Sequence, residues 1–217
     1  MHGHSGARGP ADASAGELLV ICAAVAERAA PLCRVLGTPE QVAWVEASLD
    51  LAWAAAAGEP VADGCAEALD ELGHDLDEDE EDDPGSAEFL VDRSLDLVGI
   101  ALAGALRRSP SNAVLALNTL RTVAGLLDVE VMGRRPVVVR YGEPPPPPGP
   151  LAEKELGAQR EVTALLAARG EGVVPPVVVA RARAAAREHA AAFTPVVERL
   201  AVLNDWGFDD RGGAPRR

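Results

Sequence analysis

The sequence predicts an all-α protein, a bundle of six or seven helices, and two observations support this fold class. Apolar residues recur at the three- and four-residue spacing of helix faces through most of the chain. Helical patterns do not alternate with strand patterns, and no internal repeat is present, which leaves helix-on-helix packing as the architecture. About half of the 217 residues are apolar (48%), which is enough for a sizeable hydrophobic core.

Start and stop signals divide the chain into successive helices. The predicted helices span residues 16–36, 38–57, 62–72, 86–107, 109–131, 151–169 and 175–203. Pro31 predicts a kink or break in the first helix, because proline cannot donate the helical hydrogen bond. Thr38 begins the second helix as a capping residue. The helix over residues 86–107 is apolar around most of its circumference, so it is predicted to be the central, most buried helix.

These helices are predicted to form a single helical domain over residues 16–203. Residues 1–15 are expected to be a disordered N-terminus, and residues 204–217 a flexible tail. Two irregular segments interrupt the domain, an acidic loop at residues 75–85 and a Pro-rich linker at residues 133–150.

The lack of a recognisable targeting signal and the pattern of cysteines predict a cytoplasmic location. The N-terminus lacks the basic start and apolar run of a secretory signal. The longest nonpolar run, residues 97–106, is too short to span a bilayer, so no membrane contact is expected. The three cysteines contain no C-x-x-C pair, which favours buried reduced thiols over disulfides or a zinc site.

The charge of the chain, −14 in total, is distributed unevenly. Between Arg34 and Arg93 there are 18 Asp and Glu residues and no Lys or Arg. The densest part of this stretch is an unbroken run of acids: Asp77, Glu78, Asp79, Glu80, Glu81, Asp82 and Asp83. An acidic protein repels phosphate backbones, so no nucleic-acid partner is expected. A basic protein partner would be attracted to the acidic run, which is therefore the predicted partner-binding segment.

The acidic run does not fit a known calcium motif. In an EF-hand loop starting at Asp77, the sixth position would be Asp82 instead of the glycine that the sharp turn requires. The Glu-x-x-His pairs of helical di-metal sites are absent, as are the P-loop, dinucleotide and nucleophile-elbow motifs. The sequence therefore predicts no metal, no cofactor and no identifiable catalytic residue.

Four carboxylates on predicted helices are candidate buried acids. They are Glu27, Asp50, Asp92 and Asp96. If they converged in the bundle, they could bind a metal or perform acid–base chemistry. The competing interpretation is that Glu27 pairs with an arginine, and that Asp50 and Asp92 cap or bridge helices.

Two functions therefore remain open at the level of sequence. The first is a noncatalytic helical interaction protein, such as a regulatory adaptor or an immunity-type protein, that binds a basic protein partner. The alternative is a small-molecule or metal-dependent helical enzyme that uses carboxylates of the bundle. Assembly into a homo-oligomer is compatible with either function.

Several segments, in their order and spacing, resemble a known family. They are residues 21–31 (ICAAVAERAAP), residues 48–53 (SLDLAW), the helix around Asp92 with the following SNAV of residues 111–114, and Glu155 with Gln159. Together they resemble the YjaG-like bacterial family, domain of unknown function number 416, over roughly residues 18–169. The acidic run and the Pro-rich linker depart from that pattern. The resemblance implies an all-α fold and brings no established activity with it.

Overall fold

The computed structural model describes residues 10–74, 83, 85–133, 147–168 and 173–206. All regular elements in these ranges are helical, which confirms the predicted all-α fold. After a 3-10 turn at Pro10–Asp12 come α1 (Ala15–Leu36), α2 (Pro39–Ala56), α3 (Ala62–His74), α4 (Ala87–Leu106), α5 (Pro110–Met132), α6 (Pro150–Ala167) and α7 (Pro176–Leu203). Most of the predicted acidic loop and most of the predicted Pro-rich linker lie outside the described residues.

The central helix of the bundle is α1. It packs against α2, α4, α5, α6 and α7. Of its 22 residues 18 are buried, compared with 11 of 20 in α4. The prediction that residues 86–107 form the central helix was therefore wrong. The small alanines and cysteines of α1 allow neighbouring helices to approach on every side, whereas ranking helices by large apolar residues favours α4.

The first helix continues through Pro31 without a break. Proline in a helix interior removes one hydrogen bond and costs about 3 kcal/mol. Pro31 is buried among the surrounding helices, and this packing holds the turn in helical form. Of the kink or break predicted at Pro31, the break does not occur, because tertiary contacts outweigh the unfavourable effect of proline on the helix.

Both ends of the described chain are more ordered than the sequence predicts. Ser14 and Glu17 form a capping box at the start of α1, in which the Ser14 amide donates to the Glu17 carboxylate at 2.5 Å. Residues 10–15, assigned above to a disordered terminus, are thus structured by this cap and by the 3-10 turn. At the other end, the amide of Trp206 donates to the carbonyl of Ala201 at 2.9 Å, and the Trp206 side chain packs against the core.

The core lies along α1 and extends into α2, α4 and α7. Leu49, Trp53, Leu95, Val98, Leu102 and Leu120 are buried in it. Leu117 is only partly buried, at the edge of the core. Among the described residues, none of the helices combines the length and the apolar composition that crossing a membrane requires.

Candidate functional site: an acidic groove and two buried charge clusters

A groove of about 880 Å³ lies between α2, α3 and α4. Its apolar part is formed by Trp44, Leu72 and Leu95. The indole Nε1 of Trp44 donates a hydrogen bond to the carbonyl of Ala68 at 3.1 Å, which fixes this ring against α3. Five carboxylates also line the groove: Glu40, Glu67, Asp70, Glu71 and Asp92. Among the described residues, the lining includes no Lys, Arg or His, and we call this surface the acidic groove.

The acidic groove follows from the charge pattern of the sequence. All of its described carboxylates come from the stretch between Arg34 and Arg93, which has no Lys or Arg. Glu67 and Glu71 lie four residues apart on α3, so they share one helix face. Both are exposed, and neither forms an ion pair with another described residue. Like charges at this spacing repel, so a cation in the groove would relieve the repulsion.

The predicted partner-binding run, Asp77–Asp83, connects α3 to α4, two helices that line the acidic groove. Asp77, Glu78, Asp79, Glu80, Glu81 and Asp82 lie outside the described residues. Asp83 is described and exposed, and its Oδ1 accepts a hydrogen bond from the amide of Gly85 at 2.9 Å. The run and the groove are therefore neighbours along the chain.

Glu27 is a buried carboxylate at the junction of α1, α2 and α7. Its Oε2 accepts a hydrogen bond from Trp53 Nε1 at 2.9 Å. Three guanidinium groups surround it: Arg34 at 3.3 Å, Arg187 at 3.6 Å and Arg183 at 3.8 Å. This geometry matches the interpretation in which Glu27 pairs with arginine, because each oxygen has a fixed cationic or N–H partner.

The Arg34 guanidinium shows the electrostatic balance in this cluster. Burial alone would lower its pKa, but hydrogen bonds and charge attraction from Glu46 and Glu27 outweigh burial and raise the pKa above its ordinary value. The Nε of Arg34 lies 2.6 Å from Glu46 Oε1. The cation is therefore bound firmly between α1 and α2.

The other three candidate carboxylates are not buried, so this part of the sequence prediction was wrong. Asp50 is 73% exposed and pairs with Arg183, whose long side chain reaches out from α7 to meet it. Asp96 pairs with Arg93 at 3.1 Å on the partly exposed face of α4. Asp92, on the same helix, lines the acidic groove. Long arginine side chains reach Asp50 and Asp96 near the surface, where contact with water reduces the cost of desolvating the charges.

The four carboxylates consequently do not face one shared cavity. Glu27 and Asp50 meet at Arg183, while Asp92 and Asp96 lie on α4. In the described part of the chain, no cluster of three or more His, Cys, Asp or Glu side chains could hold a metal ion.

A second buried charge cluster was missed by sequence reasoning. Arg28 donates to both oxygens of Glu155, at 2.8 Å from Nε and 2.7 Å from Nη2. The two side chains are 2% and 0% exposed. Gln159 adds a hydrogen bond to Glu155 at 3.0 Å and another to the carbonyl of Leu117 at 3.1 Å. The cluster thus joins α1, α5 and α6, and the only local signal was the four-residue spacing of Glu155 and Gln159.

Asp128 is another buried carboxylate that the sequence did not single out. It lies on α5 and accepts hydrogen bonds from the amides of Leu151 and Ala152, at 2.9 and 3.0 Å. These amides belong to the first turn of α6, which has no capping side chain of its own. Asp128 therefore caps α6 from a neighbouring helix.

The cysteines are buried thiols. Burial raises the pKa of Cys22 and of Cys33 to about 12, and it also raises the pKa of Cys65. Thiols with such pKa values are poor nucleophiles at neutral pH. They pack as small apolar residues in the core.

The fold and the site define an all-α protein with an acidic groove on one side and paired charges inside. No family model, curated protein or solved structure matches the chain. The resemblance to the YjaG-like family stays a prediction.

Proposed function

We propose that this protein is a noncatalytic helical interaction protein that binds a basic segment of a protein partner in the acidic groove. A regulatory adaptor or an immunity-type protein would act in this way. The observation that carries the proposal is the lining of the groove, whose described residues combine five carboxylates with an apolar part and include no Lys, Arg or His.

The chemistry of the groove favours an amphipathic segment as its occupant. Trp44, Leu72 and Leu95 offer apolar surface to a helix face or to the stems of long side chains. Glu67 and Glu71 on one side and Glu40 on another would meet lysine or arginine on the edges of that segment. The occupant we propose is therefore a basic amphipathic helix.

The acidic run between α3 and α4 adds long-range attraction to this surface. Seven consecutive acids follow α3 in the sequence, and negative charge of this density would accelerate the approach of a basic partner. Salt screens such attraction over about 10 Å at 0.1 M. Association should therefore be fast at low salt and slower at physiological salt.

The enzyme alternative would require carboxylates that face a common cavity. Glu27 is instead held by Trp53 and three arginines, and Asp50 is paired with Arg183. The protein is also proposed to be cytoplasmic, since its buried cysteines fit a reducing compartment.

The proposal can be tested with a defined peptide probe. The probe is a fluorescently labelled amphipathic peptide with leucines on one helical face and lysines on the other, and fluorescence anisotropy measures its binding. The variant Glu67→Gln/Glu71→Gln removes two groove carboxylates. The matched control, Glu188→Gln/Glu198→Gln, removes two exposed carboxylates of α7 and changes the net charge by the same amount.

The groove variant should bind the peptide about fivefold more weakly at low salt, since each of the two lost charge contacts contributes about 0.5 kcal/mol. The control variant should bind within about twofold of the unmodified protein. A peptide with glutamate in place of lysine should not bind. Equal weakening by both variants would show that overall charge, and not the groove, attracts the peptide, and it would overturn the proposal.

A further inference from the structure

A second cavity, of about 480 Å³, lies beneath the N-terminal 3-10 turn and between α1, α5 and α6. Its size is within the range of small-molecule sites. Apolar side chains form most of its wall: Ile21, Leu117, Leu156, Val162, Leu166 and Ala167. The acidic groove lies between other helices, so this cavity has no part in the function proposed above.

Two polar side chains in the cavity wall have hydrogen-bonding capacity left. Arg28 is buried and donates to Glu155 through Nε and Nη2. Its remaining terminal nitrogen, Nη1, makes no hydrogen bond to any described residue. Gln159 uses its Nε2 on Glu155 and Leu117, and among the same residues nothing donates to its Oε1. One donor and one acceptor are therefore available in the cavity lining, on two side chains that both contact Glu155.

The charges around the cavity disfavour an anionic ligand. The positive charge of Arg28 is already balanced by both oxygens of Glu155, so a second carboxylate here would be repelled by the first. Asp12 and Glu17 also line the cavity. Arg160, at its edge, is paired with Glu153 at 2.8 Å. A cationic head such as an ammonium group is disfavoured as well, because it has no lone pair with which to accept a hydrogen bond from Arg28 Nη1.

We propose that this cavity binds an uncharged amphiphile, a molecule with an apolar tail and a head that both donates and accepts one hydrogen bond. A hydroxyl or a primary amide meets this requirement. The head would accept from Arg28 Nη1 and donate to Gln159 Oε1. The tail would lie against the apolar residues of α1, α5 and α6.

Isothermal titration calorimetry of the whole protein with two probes of equal chain length tests the proposal. 1-Decanol carries the uncharged head, and decanoate at neutral pH carries an anionic head. Decanol should bind saturably to one site and raise the melting temperature, whereas decanoate should bind at least tenfold more weakly. Absence of decanol binding, or equal affinity for decanoate, would overturn the assignment.

A cavity-filling variant tests whether decanol binds in this cavity. Leu156→Trp should reduce decanol affinity at least tenfold, because the larger ring occupies the cavity. Leu115→Trp is the matched control, since Leu115 is exposed on α5 and is not among the residues that line the cavity. The decanol affinity of this variant should equal that of the unmodified protein. If Leu156→Trp does not fold, Ala164→Trp introduces the same ring at the exposed edge of the cavity. Full decanol affinity in a folded variant with the cavity filled would refute the proposed site.

Discussion

Replacing Glu155 with leucine should be among the most destabilising single changes in this protein. The substitution leaves the Arg28 guanidinium almost fully buried, at 2% exposure, without the carboxylate that now accepts two of its hydrogen bonds. Breaking a buried ion pair by removing one partner costs about 3–5 kcal/mol, because the remaining charge stays buried without its counter-charge. The free energy of unfolding, measured by urea denaturation with circular dichroism, should fall by that amount in Glu155→Leu.

The double variant Arg28→Met/Glu155→Leu separates this mechanism from a simple loss of packing. Removing both charges replaces the ion pair with apolar groups of similar size, a change that is often close to neutral. The free energy of unfolding of the double variant should therefore lie within about 2 kcal/mol of that of the unmodified protein. This loss is much smaller than the sum of the losses in the two single variants. Glu153→Leu is the matched control on the same helix, because the Glu153–Arg160 pair is exposed and should contribute less than about 1 kcal/mol. Additive losses in the double variant, or a loss under about 1 kcal/mol in Glu155→Leu, would refute the reasoning.

Three further predictions concern the core, the acidic run and the thiols. Leu102→Ala should lower the free energy of unfolding by about 2–5 kcal/mol, because Leu102 is fully buried and its truncation leaves a cavity; a loss under about 1 kcal/mol in urea denaturation would contradict this. Replacing residues 77–83 with a neutral Gly/Ser loop of equal length should leave stability unchanged or slightly raised, since self-repulsion is relieved, and should slow association with the lysine peptide in stopped-flow fluorescence at low salt. An unchanged rate would leave the run as a solubility feature. Burial raises the pKa of Cys22 and Cys33 from about 9 to about 12, so the unfolded chain loses their protons first and stability should fall as pH rises through this window. The free energy of unfolding, measured by urea denaturation, should decline less between about pH 8 and pH 10 in Cys22→Ala/Cys33→Ala than in the unmodified protein. Equal declines in the two proteins would contradict the raised pKa values of the thiols.

The helices were predictable because their signals are local. Thr38 and Gln41 form the capping box that their spacing indicates, and the apolar stripe of α2 does bury Leu49 and Trp53. The errors arise where distant parts of the chain decide the outcome. Pro31 stays helical because other helices enclose it, and no local rule contains that information.

The candidate site shows the same division between local and distant information. The acidic stretch between Arg34 and Arg93 is visible in the sequence, and Glu67 and Glu71 of that stretch line the groove from α3. The predicted partner-binding run lies mostly outside the described residues and stays a prediction. The groove itself depends on how α2, α3 and α4 pack, which the charge pattern does not specify. Arg28 and Glu155 are separated by 127 positions in sequence, so their pairing becomes visible only when α1 and α6 are placed side by side.

The central position of α1 has a consequence for the order in which the protein can fold. Synthesis proceeds from the N-terminus, so the residues of α1 are made before those of the other described helices, while α7, one of its principal neighbours, follows all of them. Until α7 is available, the side of α1 that carries Glu27 lacks Arg183 and Arg187. A ribosome-bound chain that ends before α7 should therefore expose part of α1 and bind chaperones or hydrophobic dyes. Release of α7 would then complete the described bundle around a helix that was synthesised well before it.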